Sequence, residues 1–307
     1  MATTVDVDVS TLVCFVAVAE EQNFTRAAAR VGISQPGLSK KIRLLEDALG
    51  VRLFDRGTRS ASLTGAGEVL LPAALTMIET WRTTVAELRR DEAAERGVLR
   101  VGFEASGAGA LTARARAEFA RRHPQVVVQP ARFDWGGEVP ALREGLVDVA
   151  FVWLPADLGD GIDHEVVLVE PRVVGMAAAH RLAGRETLSL ADIGDEPLMW
   201  TRRAPRAWID WWAVNPRPDG RSPVWGPEND NVEEMLETVA AGAAICIAPT
   251  SMADFYSRPD LAWRPLLDAE PLRVAIAWPA NSTSRLVGEF LLIVQDLSAL
   301  DDAAPRP

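Results

Sequence analysis

Residues 22–64 read QNFTRAAARVGISQPGLSKKIRLLEDALGVRLFDRGTRSASLT, and the stretch 34–49 within them predicts a helix with two incompatible faces. Leu38, Ile42, Leu45 and Leu49 recur at spacings of four, three and four, one apolar stripe of an α-helix. Gln35, Ser39 and Arg43 line up at i, i+4 and i+8 on the other side, with Lys40 beside them. A helix that buries one face and presents amide, hydroxyl and cationic groups on the other suits the DNA major groove, where base edges offer donors and acceptors. Ser34 is a good N-cap, and Pro36 falls in the first turn, where an amide would have no intrahelical partner.

The flanks extend this reading. A helix over 25–31, capped by Thr25, is built of small residues (Ala27, Ala28, Ala29) that allow close helix approach, and Gly32 ends it. An earlier helix over 10–20 offers Leu12, Phe15, Val16 and Ala19 to the same core. Downstream, 51–54 and 61–63 alternate around a polar turn and predict a β-wing, from which Arg52, Arg56 and Arg59 reach phosphates. The segment 22–64 carries eight Lys/Arg against three acidic residues, in a chain whose formal net charge is −11. Both lysines of the chain, Lys40 and Lys41, lie on the predicted groove helix. A basic module on an acidic body steers a polyanion to one patch and repels it elsewhere.

The run Phe24-Thr25-Arg26-Ala27-Ala28, with Ser34-Gln35-Pro36, Leu38-Ser39, Leu45-Glu46, Leu49-Gly50, Leu53-Phe54, Arg56, Leu63-Thr64 and Gly67, resembles the N-terminal signature of LysR-type transcriptional regulators. Gly37 departs from it, at a position that usually carries a side chain. The resemblance implies a sequence-specific regulator. Gln35, Pro36, Ser39 and Lys40 are then expected at base edges, with Arg43 at the groove margin. Thr25, Arg26, Ser34, Lys41, Arg52 and Arg56 are expected at phosphates.

The rest of the 307 residues holds no transmembrane run and no signal-peptide pattern after the polar, acidic N-terminus, so a cytoplasmic protein is expected. A long helix over 66–90 places Leu70, Ala74, Met77, Trp81, Thr84 and Leu88 at alternating spacings of four and three, a coiled-coil seam for dimerisation. The charged stretch DEAAERG, 91–97, reads as a linker. Beyond it, short apolar strands alternate with helices, which implies βαβ units and a mostly parallel sheet. The expected fold is α+β and multidomain: a winged helix-turn-helix over 1–65, a linker helix over 66–96, and an α/β effector domain. By the resemblance, that last domain has two lobes of periplasmic-binding-protein type, 97–172 with 271–300 and 173–270.

Open α/β sheets bind ligands beyond the carboxyl ends of their strands. Ser106, Trp135, Trp153, Thr201 and Arg202 are therefore the candidate effector contacts. The segment 104–107 is expected to open a helix whose free amides hold an anionic group. Nine of ten tryptophans lie beyond residue 130, which points to an aromatic or apolar effector, with Arg202 or Arg203 suited to a carboxylate. An enzyme is disfavoured: there is no phosphate-cradling glycine fingerprint and no serine elbow. His123, His164 and His180 are scattered, so neither metal nor cofactor is expected. Of two cysteines, only Cys246 falls in the regulatory region, and it reads as buried in a strand. By the resemblance, the expected partners are double-stranded operator DNA, a small-molecule effector and further copies of the chain, as dimer and tetramer. A constitutive regulator without effector is the alternative. A solute-binding protein would lack the basic N-terminal module.

Overall fold

The computed structural model describes residues 7–56 and 61–303, and the chain divides into two compact units, Met1–Val85 and Ala86–Pro307. The first unit opens with α1 (Val9–Glu21), α2 (Phe24–Arg30) and α3 (Gln35–Leu49). The cap of α2 is Asn23, not Thr25: its side-chain oxygen accepts from the amides of Thr25 and Arg26, at 2.9 and 3.1 Å. Ser34 caps α3 by accepting from the Gly37 amide at 3.3 Å. Leu38, Ile42 and Leu45 are fully buried with Phe15, Ala27 and Ala28. Burying each large side chain is worth about 1.5–3 kcal/mol, enough to set the orientation of so short a domain's helices.

The wing is a two-stranded antiparallel sheet of β1 (Phe54–Arg56) and β2 (Ala61–Leu63), pairing Phe54 with Leu63. Phe54 stacks at 5.5 Å on Phe15 and at 5.9 Å on Phe24, so β1 closes the helical core. The buried Glu46 of α3 accepts from the amides of Leu53 and Phe54, at 2.8 and 3.3 Å, and so ties the groove helix to the wing.

α4 (Gly65–Glu95) is longer than its sequence periodicity suggested, because DEAAE continues it; an Arg96–Glu92 pair at 2.7 Å and the left-handed Gly97 (φ 65°) terminate it. Pro72 is accommodated in its first turns. Ala74 and Ile78 are buried in the N-terminal core, with Leu70 and Leu71 packed against it.

The second unit continues with β3 (Val98–Glu104), α5 (Ala110–Arg122), β4 (Val127–Phe133), α6 (Glu138–Arg143), β5 (Val149–Leu154) and β6 (Ile162–Glu170). Then come β7 (Arg172–Ala177), β8 (Leu198–Trp200), α7 (Arg206–Ala213), β9 (Trp225–Glu228), α8 (Val232–Ala240), β10 (Cys246–Pro249), α9 (Thr250–Phe255), β11 (Leu261–Pro265), β12 (Leu272–Pro279) and α10 (Arg285–Ala303). A five-stranded sheet runs β4-β3-β5-β12-β6, and a three-stranded sheet runs β10-β7-β11, with β8 and β9 as a separate parallel pair.

Only β4, β3 and β5 of the two larger sheets are parallel; β12 runs against β5 and β6, and β7 runs against both its neighbours. The mostly parallel expectation fails for β10-β7-β11 for a geometric reason. Pro249 and Pro265, the last residues of β10 and β11, register with Arg172 and Val173, where the chain enters that sheet. Strands that return to the entry point must run opposite to the entering one. β6 escaped the sequence reading because it is an edge strand whose Asp163, His164 and Glu165 face solvent.

Candidate functional site

On α3, Gln35, Pro36, Lys40 and Arg43 are exposed and Ser39 is half-buried, while the apolar stripe faces inward. The Gln35 Nε2 donates to Ser39 Oγ at 2.9 Å, which fixes the amide along the outer face of the helix. Thr25 and Ser34 are exposed in the first turn of α2 and at the cap of α3. Two of the expected phosphate contacts already have partners. Lys41 donates through Nζ to Ser10 Oγ at 2.8 Å, and Arg26 pairs with Glu21 at 3.2 Å. Arg52 is exposed, and its carbonyl is held by the Thr64 hydroxyl at 2.7 Å. Arg56 ends β1, but its side chain, like the whole of Arg59, lies outside the described residues.

The dimerisation seam is only partly open. Ala74 is completely buried and Leu70 packs on the same N-terminal core, so the first turns of α4 are spent covering their own domain. Met77, Trp81 and Leu88 are 55%, 56% and 65% exposed.

In the second unit, a cavity lies between the two halves of the fold. Trp135, in the turn after β4, and Trp153 of β5 supply one wall. The opposite walls come from Trp200 and Thr201, from Trp208 and Trp212 of α7, from Trp225, and from Met235 and Met252. α7 turns Trp208, Ile209 and Trp212 inward because i, i+1 and i+4 share one helical face. Trp135 lies 6.1 Å from Trp208, and Trp153 lies 5.4 Å from Trp212, so the two walls meet ring to ring. The Trp135 Nε1 donates across the cavity to Asn229 Oδ1 at 2.6 Å. Cys246 is part of the lining, and burial pushes its thiol up to about 12.

Of the candidate effector contacts, Trp135, Trp153 and Thr201 line this cavity, whereas Ser106 and Arg202 do not. Ser106 is buried and bonds to Ser251 Oγ at 2.9 Å, and Ser251 donates to both carboxylate oxygens of Glu170. The Arg202 side chain is 74% exposed and ion-paired with Glu228. A guanidinium keeps its hydration there, whereas entry into an indole-walled cavity would strip it. The anion-binding expectation for 104–107 also fails. The amides of Gly107, Ala108, Gly109 and Leu111 already donate to Glu104 O, Thr112 Oγ1, Ser106 O and Ala108 O.

Sequence reading missed a buried carboxyl pair behind the Trp135 turn. Glu104 closes β3 and accepts from the Gly136 amide at 2.9 Å, and Glu138 opens α6. Both are almost completely buried. Burial, and then Glu138, hold Glu104 well above the usual carboxylate range, and burial raises Glu138 to about 7. No periodic signal marks such a pair, because the two glutamates are 34 positions apart in sequence. Nor did it identify Trp200, Trp208, Trp212 and Trp225 as cavity walls.

Comparison with known proteins agrees with this division. Residues 9–68 match the family model for bacterial regulatory helix-turn-helix proteins of the lysR family, and residues 92–299 match the LysR substrate binding domain. The transcriptional regulator BudR of Raoultella terrigena is 31% identical over 280 residues, covering 90% of this chain and 96% of that protein. The regulator BenM of Acinetobacter baylyi is 29% identical over 275 residues, 88% of this chain and 90% of BenM. The crystal structure of full-length BenM aligns over 98% of this chain and 100% of its own, with TM-score 0.56 and 25% identity. Full-length CbnR in complex with its target DNA shares the fold at TM-score 0.54, 24% identity, and covers 95% of this chain and 100% of that one. With an exposed groove helix in one unit and an indole-walled cavity in the other, the chain belongs to the LysR family of transcriptional regulators, as a DNA-binding protein with an effector-binding domain and not an enzyme.

Proposed function

We propose that this regulator acts in the cytoplasm as a self-associating DNA-binding protein whose output is set by a small aromatic molecule in the indole-walled cavity. The cavity carries the effector half of this reading. Its walls come from both sides of the fold, so a molecule seated there contacts both at once and favours one of their arrangements. Trp135, Trp153 and Thr201 are the effector contacts in this proposal; Ser106 instead braces Ser251. Gln35, Pro36, Ser39, Lys40 and Arg43 read base edges, and Thr25, Arg26, Ser34, Lys41, Arg52 and Arg56 hold phosphates. The functional parts follow the division 1–65, 66–96, 97–172 with 271–300, and 173–270.

Self-association runs through the exposed Met77, Trp81 and Leu88 of α4. Two linked groove helices then match a pseudo-palindromic operator, and regulatory-domain contacts extend the dimer to a tetramer. The test is a footprint of the purified protein on its own upstream region, with and without aromatic metabolites. Protection that weakens steeply with salt and shifts with a metabolite supports the proposal. A footprint that no metabolite moves leaves a constitutive regulator.

A further inference from the structure

The cavity's charge and hydrogen-bond inventory bears on what it binds. No lysine, arginine or histidine lines it. Arg202 and Arg203, on the turn beside it, are spent on Glu228 and Asp230. Arg172 stacks over Trp211 at 4.3 Å, and its Nη1 donates to the carbonyls of Trp211 and Trp212 at the end of α7. The ionisable groups behind the Trp135 turn are the two buried carboxyls of Glu104 and Glu138. The Arg172 guanidinium also lies 5.9 Å from the Trp212 ring centroid, behind the wall and not in its lining, so an anion in this cavity would lose its hydration and gain no direct ion pair, a cost that neutral molecules escape.

Several polar atoms of the wall are consumed by the protein itself. Trp135 donates to Asn229, and Asn229 Nδ2 donates to the Trp200 carbonyl at 2.8 Å. Trp200 Nε1 donates to the Gly226 carbonyl at 2.9 Å, and Trp153 Nε1 to the Gly107 carbonyl at 2.7 Å. The Thr201 hydroxyl accepts from the Arg203 amide at 3.1 Å. Trp212 also lines the cavity, and its indole Nε1 is buried with no partner. Buried donors are almost always satisfied, so an orphan one at a cavity wall marks where a ligand atom belongs.

We infer that the effector is an uncharged, flat aromatic molecule with a hydrogen-bond acceptor, such as an aryl ketone, aldehyde or ester, and not an aryl carboxylate. Its ring lies among the indoles and its acceptor receives a hydrogen bond from Trp212 Nε1. The inference rests on the effector reading of the cavity and narrows it, discarding the carboxylate that Arg202 and Arg203 suggest in the sequence.

Matched pairs test it on the full-length protein, by calorimetry and tryptophan quenching: acetophenone against benzoate, methyl cinnamate against cinnamate, with toluene as the acceptor-free ring. The neutral member of each pair binds at least about tenfold more tightly, the order of discrimination one uncompensated polar burial supplies. In Trp212→Phe, acetophenone weakens about fivefold while toluene is unchanged, since one neutral hydrogen bond is lost and the apolar wall is kept. Carboxylates that bind as well as their neutral partners and move the DNA footprint overturn the inference and leave the effector reading standing. Binding by no probe overturns both. Equal weakening of acetophenone and toluene by Trp212→Phe overturns the role of the orphan donor. The pairwise comparison on the parent protein decides the ligand class whether or not that variant folds.

Discussion

The indole Nε1 of Trp135 and the side-chain oxygen of Asn229, 94 positions apart in sequence, share a 2.6 Å hydrogen bond across the indole-walled cavity. The same asparagine holds the Trp200 carbonyl through Nδ2. One buried side chain therefore links the turn after β4 to the end of β8.

Asn229→Ala strips both bonds and leaves the Trp135 donor unpaired in a buried site. The expected loss is roughly 1–3 kcal/mol of regulatory-domain stability, read from urea melts, with a change in tryptophan emission. An unchanged melt and spectrum would mean that water or another acceptor replaces the bond at no cost.

Glu46 ties α3 to the wing through the amides of Leu53 and Phe54. Glu46→Ala should cost about 1–3 kcal/mol in the N-terminal unit, because two buried amides lose a charged acceptor. DNA affinity should fall with the wing's order while effector binding stays as in the parent. Amide hydrogen exchange at Leu53 and Phe54 checks the mechanism directly, since their protection should drop first.

Gly67 and Gly37 of the DNA-binding unit should behave oppositely. A Cβ on Gly67 would sit 2.3 Å from the Leu53 carbonyl oxygen and 2.8 Å from Leu63, so Gly67→Ala must push α4 off the wing. Overpacking of this kind costs roughly 1–3 kcal/mol or more. A Cβ on Gly37 meets only the Ser34 hydroxyl, at 3.1 Å. Gly37→Ala should stay within about 1 kcal/mol of the parent, since helix propensity gained offsets the crowded cap. Thermal melts of the two variants make the comparison.

Gln35 and Arg52 should separate specificity from affinity. Gln35→Ala should cost roughly 1–3 kcal/mol on the preferred site and relax sequence preference there. Arg52→Ala should weaken all sequences alike and reduce the salt slope by about one. Selection of binding sites from a random pool reads both outcomes; a changed preference for the Arg52 variant would contradict its phosphate role.

Glu138 gives the regulatory domain a pH dependence of defined sign. Its folded value of about 7 lies above its ordinary 4.5 because burial penalises the charge. The folded protein thus holds a proton that the unfolded chain has released, so stability falls as pH rises between about 4.5 and 7. Glu104 and Glu170, both raised chiefly by burial, act in the same direction. Urea midpoints should be lower near pH 8 than near pH 5, and Glu138→Gln should flatten that slope. A midpoint that rises over the same range would refute the buried-pair account.

The winged helix-turn-helix was legible in the sequence because local rules dictate it. The stripe of Leu38, Ile42 and Leu45 and the Ser34 cap are set by helix periodicity and by the free amides of a first turn. Over α4, periodicity finds an apolar face but not what covers it. Ala74 faces its own domain, whereas Met77 and Trp81 do not. In the second unit the strands and helices were mostly readable, but the direction of the β10-β7-β11 sheet was not, since it depends on where the chain returns.

What sequence determined, then, was the winged helix-turn-helix and the polar outer face of α3, because those groups lie on one helix and its immediate neighbours. What only the tertiary structure decided was the ligand cavity. Its walls join Trp135 and Trp153 to Trp208, Trp212 and Trp225, and its electrostatics depend on which charges the fold turns away. Arg202 and Arg203 are cations in the sequence; once folded, Glu228 and Asp230 neutralise them at the surface, and the cavity is left to uncharged side chains, indoles foremost.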